Sequence, residues 1–448
     1  MSAQEITDFK KPSSTFGVRH FQALLLFLGM IFIFLMKVDM NIAIVAMTDS
    51  TQNNTFDWSH QRQSVILSSY KWGYLVTKIP GGELSARFGG KVVMVACGAV
   101  NCFTSMLLPI AGVYGGWQAV CACRLIQGLA QGLLLPTIHT LTGKWAPPDE
   151  RSRISTAMYA GGQLGTALEY LMAGFVASYW GWQGIFYVNG LILAIWTAIY
   201  IVMGSASPLN SKSISAEERI YIERSLGQDD TTKELKTPWL AMLTSIPFLI
   251  LIVTHVGNSW GYWTLLTELP TYLTKVLGFN IKANGIISAL PYLAAFIMCF
   301  VFGFVSDYTL GKKYISVNAC RKINNSIGSF GPALFLIWLS YVTSEITLAV
   351  MLLIVCIGLS SGVYAGFNIV HLDMAPNHAG TMIGISGFVS NVVSTFAPIA
   401  AGFMIKDETL SSEWRKVFFL VAGILIATNF LFLACGSTRK QKWNDLSK

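Results

Sequence analysis

The sequence predicts an all-α membrane protein of about twelve transmembrane helices arranged as two six-helix bundles. Three observations predict it. The 448 residues are 53% hydrophobic and only 12% charged, with mean hydropathy +0.54, whereas a soluble globular domain carries about a quarter charged residues. Apolar runs long enough to span a bilayer recur along the chain. One long polar stretch, 205–244, divides them into two sets of six.

Taken in order, the spans are read at roughly 22–47, 63–85, 92–111, 117–142, 154–178, 184–204, 245–273, 285–306, 327–342, 346–370, 380–405 and 415–436, each judged against the ~20 residues a span requires. The two bundles are thus 22–204 and 245–436, between polar tails 1–21 and 437–448. The first tail lacks a cleavage-site pattern, so the first span is expected to stay as a signal anchor.

Lys10, Lys11 and Arg19, then Arg87 and Lys91, Lys144, Arg151 and Arg153, Lys312, Lys313, Arg321 and Lys322, and finally Arg439, Lys440 and Lys442 fall in alternate loops. The positive-inside rule then places both tails and the 205–244 linker in the cytoplasm. The net charge of +8 is therefore an orientation signal, and no nucleic-acid partner is implied. Asn53 falls outside, within the glycosylation sequon Asn53-Asn54-Thr55. Asn324-Asn325-Ser326 also fits the triplet, but its cytoplasmic position should keep it silent. In the linker, Ser215 followed by Glu218 reads as a capping box opening a short amphipathic helix that ends near Gly227. The eight cysteines lie in or beside apolar segments and are read as packing residues, with no disulfide or metal framework.

Ionisable residues inside spans are functional candidates by default, because charge in hydrocarbon is costly. With Glu83 at a helix end and His255 and Glu268 towards the ends of the seventh span set apart, they are Lys37 and Asp39 in the first span, Lys71 and Lys78 in the second, Arg124 in the fourth and Glu169 in the fifth. Arg124, Gln127, Gly128, Gln131, Gly132, Leu135 and His139 share one helical stripe. Trp117 and Trp145 mark interfaces well to either side of it, so Arg124 should face a cavity rather than snorkel. Four cations against two anions favour an anionic ligand. Each residue also has a structural alternative. Lys71 and Lys78 could pair with carboxylates or cover a helix interface, Asp39 could hold a structural hydrogen bond, and Glu169 could neutralise a lysine. Tyr159, Gln163, Thr166 and Tyr170 form a polar face of the fifth span, with Glu169 at its edge.

The two halves echo each other. Gly82-Glu-Leu-Ser-Ala-Arg87-Phe-Gly89-Gly-Lys91 follows the second span, and Gly303-Phe-Val-Ser-Asp307-Tyr-Thr-Leu-Gly311-Lys-Lys313 follows the eighth. Such repeats mark transporters with a binding site between two bundles near the bilayer midplane. Arg87, Lys91, Glu150, Arg151 and Asp307 sit at cytoplasmic helix ends, where charge pairs can latch one conformation. His371 and Asp373 close the tenth span on the same side and are read in the same way.

The glycine and basic turn after the second span resembles the signature of the major facilitator superfamily, although the signature's acidic residue is Ala86 here and survives only as Asp307. More specific are Trp72-Gly-Tyr…Ile79-Pro-Gly-Gly82, Lys144-Trp-Ala-Pro-Pro-Asp-Glu-Arg151-Ser, Tyr159-Ala-Gly-Gly-Gln163-Leu-Gly and Asn368-Ile-Val-His371-Leu-Asp373-Met-Ala-Pro376. Together these resemble the anion/cation symporter family of sodium-phosphate cotransporters, lysosomal sialic acid carriers and vesicular glutamate transporters, and within it the insect inorganic phosphate cotransporters. The resemblance implies the major facilitator fold. It also implies that Arg124 meets the substrate's carboxylate or phosphate, that Lys37 replaces a first-span arginine, and that Gln163 lies near substrate. The carboxylates that bind protons in the proton-coupled branch correspond to Gln127 and Gln131, and a further first-span carboxylate to Met36. The seventh-span arginine of the glutamate carriers is Asn258. Glutamine cannot titrate, so the usual proton route and vesicular glutamate transport are not expected.

The expectation is a secondary active transporter, not an enzyme, moving a small organic or inorganic anion such as phosphate with a coupling cation by alternating access. Arg124 and Lys37 would bind the anion, and Gln163, Tyr159 and Asn368 would orient it. Asp39 or Glu169 would serve the coupling ion, sodium first and a proton through Glu169 as the alternative. No cofactor beyond that ion is expected, and the protein is expected to be a monomer. The first tail has no acidic dileucine pattern, which favours the plasma membrane over lysosomal or vesicle membranes. The rival from another class is a sensor that binds ligand on the same fold without flux. An enzyme is disfavoured because no nucleophile triad, carboxylate pair or metal constellation converges in the spans, and a channel because the two-bundle repeat leaves no symmetric pore ring.

Overall fold

A computed structural model describes residues 16–49, 55–78, 80–211, 213–225, 238–342, 345–375 and 378–445. Among them all regular structure is helical. The first half holds α1 (Val18–Met47), α2 (His60–Lys78), its continuation beyond Pro80 as α3 (Gly81–Phe88), α4 (Gly90–Trp145) and α5 (Pro148–Met203). At 1.5 Å per residue, the 56 residues of α4 or of α5 far exceed the ~30 Å hydrocarbon thickness. Each reverses once, at Gly116 (φ 64°, ψ −164°) and Gly181 (φ 73°, ψ 177°). Only glycine enters this region readily. Each long helix is therefore two antiparallel spans, and the half has six passes. Gly116→Ala is expected to cost about 1–3 kcal/mol, read as a lower melting temperature of the solubilised protein. An unchanged melting temperature would show that the reversal tolerates a side chain.

The connection carries α6 (Ala216–Ser225) and α7 (Trp239–Leu243). The Glu218 amide donates to Ser215 Oγ at 3.2 Å, as the capping pattern predicts. The Glu218 carboxylate, however, turns away to the start of α1. It accepts from the Val18 and Arg19 amides at 2.9 and 3.0 Å and from Arg19 Nη1 at 3.0 Å. The linker helix thus clamps the first turn of α1, whose orphan amides need acceptors.

The second half holds α8 (Ile246–Lys275), α9 (Ile281–Gly311), α10 (Val317–Leu339) and two interrupted spans, followed by α16 (Ser411–Cys435). One interrupted span is α11 (Ile346–Ser360), α12 (Gly362–Ala365) and α13 (Phe367–Met374), and the other is α14 (Ala379–Ser394) and α15 (Phe396–Met404). The sequence reads each of these as one continuous helix. The breaks at Ser361, Gly366 and Thr395 fall in runs whose hydropathy is unbroken, so periodicity does not register them.

The end of the bundle where α1 begins and α16 finishes is called here the terminal face, and the opposite end the distal face. Towards the distal face one apolar core joins both halves, from Val38, Ile66 and Trp182 to Leu266, Leu273 and Val421. Towards the terminal face it divides into two. One part packs Leu25, Met94, Leu141 and Trp196 of the first half, and the other Phe248, Val370, Met374 and Phe432 of the second. Bonds between the halves follow the same gradient. Asn41 Nδ2 and the Tyr170 hydroxyl both donate to the Leu266 carbonyl, at 2.8 and 2.6 Å. Gly174 packs directly on Gly285. The arrangement is closed distally, with the halves packing separately towards the terminal face.

Candidate functional site

Arg124 is 1% exposed and turns its Nη1 and Nη2 towards α1. Nη1 lies 2.9 Å from Asp39 Oδ1, and also donates to Gln127 Oε1 at 3.0 Å and the Met36 carbonyl at 3.2 Å. Nη2 donates to the Lys37 carbonyl at 3.1 Å. The guanidinium lies over the Tyr70 ring, 5.0 Å from its centroid. The expectation that Arg124 faces a cavity is therefore corrected for this arrangement. A buried arginine takes the nearest carboxylate and free carbonyls, because an unpaired charge there is far costlier. Nε and Gln127 Nε2 are left without acceptors. Gln131 accepts from the Tyr70 hydroxyl at 2.7 Å and donates to Asn101 at 3.2 Å.

Asp39 and Glu169 belong to one buried cluster. Asn189 Nδ2 donates to Glu169 Oε1 at 2.9 Å, and Asp39 and Glu169 lie close enough to feel each other's charge. Asp39 Oδ2, Glu169 Oε2 and Asn189 Oδ1 are three buried oxygens with no donor. With both carboxylates ionised, two negative charges face one guanidinium, and the cluster is one positive charge short. The reading that Lys71 or Lys78 neutralises Glu169 is corrected, since both lysines extend across the interface between the halves, towards α8 and α14.

The lysines meet aromatic faces and carbonyls, with no carboxylate among the described residues. Lys37 Nζ lies 4.3 Å from the Phe34 ring centroid and 4.5 Å from that of Trp263 on α8. Lys71 Nζ lies 3.6 Å from the Trp263 centroid and donates to the Ser394 carbonyl at 2.7 Å. Lys78 Nζ sits 5.5 Å from the Tyr74 centroid and 3.5 Å from the Gly387 carbonyl. Lys71 is buried and committed, whereas Lys37 and Lys78 are half-buried. Among the described residues neither makes an ion pair.

Beside them, in the second half, is a cavity of about 150 Å³ lined by His255, Asn258, Tyr262, Tyr364, Phe367 and Asn368, among others. The Lys78 ammonium and the His255 ring both approach Gly387, so the cavity wall adjoins Lys78. Gln163 Nε2 donates to the Tyr364 hydroxyl at 2.8 Å, which brings Gln163 to the same wall. His371 bonds Ser386 Oγ at 2.9 Å, and His255 meets the same hydroxyl at 3.2 Å. Tyr159, Glu150 and Arg151 lie in α5, but their side chains are outside the described part. Asn53 lies outside the described residues altogether. Arg87 and Asp307 are exposed, without an ion pair to any described residue, and Lys91 donates to the Ile201 carbonyl at 2.7 Å. Asp373 pairs with Arg321 at 2.8 Å, within the second half. All eight cysteines are free, and among the described residues no group of His, Cys, Asp and Glu could hold a metal ion.

Asn189 and Trp263 are the functional candidates that the sequence does not single out. Asn189 is an ordinary polar residue in an apolar span, and only the pairing of α5 with α1 gives it meaning.

Residues 26–398 match the family model described as the Major Facilitator Superfamily. A protein named "Putative inorganic phosphate cotransporter" from Drosophila melanogaster is 36% identical, covering 97% of this chain and 88% of its own. Sialin from Homo sapiens is 31% identical over 95% of this chain and 91% of its own, and human vesicular glutamate transporter 2 is 32% identical over 98% and 78%. A crystal structure of a D-xylose-proton symporter shares the fold, with a TM-score of 0.73 at 14% identity, covering 95% of this chain and all of that one. The chain is a multi-pass membrane transporter, not an enzyme, and it belongs to the Major Facilitator Superfamily, in the group that holds these phosphate cotransporters, sialin and the vesicular glutamate transporters.

Proposed function

We propose that this protein moves a small anion, inorganic phosphate or a small carboxylate, together with a coupling cation by alternating access. One observation carries the reading: Lys37 and Lys78 share the interface between the halves with no described carboxylate, while Asp39 is committed to Arg124 and Glu169 to Asn189. Two ammonium groups in a low-dielectric compartment repel each other, and an anion between them removes that cost. Gln163, Tyr159 and Asn368 then orient the anion.

The coupling cation belongs at Asp39, Glu169 and Asn189. Sodium is the first reading, since it takes oxygen ligands without titration, and three buried oxygens there lack a donor. A proton on Glu169 is the alternative. Either ion weakens the hold of Asp39 on Arg124, whose Nε and neighbouring Gln127 Nε2 lack acceptors and become available to the anion. Binding of cation and anion is then cooperative. Arg87, Lys91, Glu150, Arg151 and Asp307 act as a latch in the opposite state, when the terminal face closes. That face is cytoplasmic by its basic residues, the protein works as a monomer in the plasma membrane, and Asn53 carries glycan on the other side.

The test is uptake into proteoliposomes from a panel of radiolabelled anions, phosphate included, with sodium and pH gradients imposed separately. Sodium-stimulated uptake is expected. Anion binding without flux under any gradient would instead make the protein a sensor on a transporter fold.

A further inference from the structure

The distal seam holds an ionic cluster that the anion and cation sites do not use. His60 opens α2 in the first half. Its Nδ1 lies 3.0 Å from Glu408 Oε1, in the connection between α15 and α16, and its Nε2 lies 3.6 Å from Glu268 Oε2 on α8. Lys275 Nζ is 3.8 Å from the other Glu408 oxygen, and Gln63 Nε2 reaches Glu408 Oε1 at 3.3 Å. Asp407 adds a weaker charge from the same connection. Trp414 of α16 closes the side with its ring 6.3 Å from that of His60, and donates its own N–H to the Glu408 carbonyl at 2.8 Å.

Glu268 is 3% exposed and neither of its oxygens accepts a hydrogen bond. Burial alone would raise the Glu408 carboxyl, yet His60, 3.0 Å away, and Lys275 hold it below the usual carboxylate range. With a proton on His60, the two carboxylates balance the imidazolium and Lys275. Without it, the seam traps one uncompensated negative charge between the halves, which is costly away from water.

We propose that His60, Glu268 and Glu408 form a proton-binding site across the distal seam, filled from the distal solution, whose occupancy holds that face closed. Opening separates His60 on α2 from both carboxylates, so the closed seam binds the proton more tightly than the open one. By linkage, closure is complete at low distal pH and is lost as the pH rises through the value at which the closed seam titrates. One proton changes the closed-to-open ratio by at most about tenfold per pH unit.

The test uses the full chain in nanodiscs, with its native cysteines replaced and spin labels at Asp57→Cys and Lys406→Cys. Both positions are exposed distally on opposite halves. The short-distance population measured by electron–electron resonance is expected to fall between pH 5.5 and 8.5. His60→Gln removes the base and leaves two carboxylates facing one lysine, so it should favour the long distance throughout. Glu268→Gln removes the excess acid and should keep the short distance to higher pH. The double variant restores neutrality and should be closed at every pH, which also separates a charge effect from misfolding. A distance distribution that is independent of pH in the unmodified seam would overturn the proposal. So would a double variant that keeps the original pH dependence.

Discussion

Half-saturating anion concentration is expected to rise roughly tenfold to a hundredfold in Lys37→Gln, the equivalent of losing one charged hydrogen bond of about 1.5–3 kcal/mol. Lys37 and Lys78 are the cations left to a ligand once Arg124 has taken Asp39 and Lys71 has taken Ser394. The Phe34 and Trp263 faces beside Lys37 hold an ammonium through the ring quadrupole. They supply no opposite charge, so an arriving anion is what compensates the ammonium. Lys78→Gln should act in the same direction. Lys71→Gln should differ, because its ammonium ties α2 to the end of α14 across the seam, and its loss should reduce stability more than affinity. Arg124→Lys is expected to lower transport while the protein still reaches the membrane. A single ammonium nitrogen does not reproduce the spread of Nη1 and Nη2, which divide Asp39 and two backbone carbonyls between them. The measurement is concentration-dependent uptake by each variant, normalised to protein in the membrane. Lys37→Gln and Lys78→Gln with unchanged half-saturation would remove the lysines from the substrate path.

Much of this was legible in the sequence. Hydropathy located the spans and the central linker, and the charge-dense turns after the second and eighth spans disclosed the repeat. The unusual residues of the site, Lys37, Asp39, Arg124 and Glu169, stood out because ions are rare in hydrocarbon. Their partners did not. Periodicity fixes which residues share a face of one helix, but it says nothing of which helix that face meets. Asp39 and Arg124 are 85 residues apart. Charge counting offers Glu169 a lysine only as the alternative to a coupling-ion role, and packing of α5 on α1 gives it Asn189 while the lysines turn towards α8 and α14. The seam was invisible for the same reason: Glu268 stands out alone as an acid in the seventh span, but His60 and Glu408 come from distant polar connections that nothing in the sequence joins to it.

Loss of cation dependence, with anion exchange retained, is the result expected of Asp39→Asn and Glu169→Gln. Both substitutions keep the side-chain shape and remove one of the two negative charges that leave the cluster short of a cation. Asp39→Asn goes further, because it breaks the 2.9 Å ion pair and leaves Arg124 held only by Gln127 and backbone carbonyls. That variant should bind anion without a coupling ion, as if the cation were permanently in place. Exchange of anion for anion needs no return of the empty carrier, so it should survive even when gradient-driven uptake is lost. Glu169→Gln leaves the Arg124 pair intact and should weaken the cation without freeing the guanidinium, so anion affinity should stay low. The two variants thus separate the ion site from the release of Arg124. A proton mechanism through Glu169 gives another pattern, in which uptake follows pH at zero sodium in the unmodified protein and in Asp39→Asn but not in Glu169→Gln. Uptake and exchange across separate sodium and pH gradients decide between them. Sodium-stimulated uptake that is unchanged in both variants would place the coupling ion away from these carboxylates, among backbone carbonyls and neutral side chains.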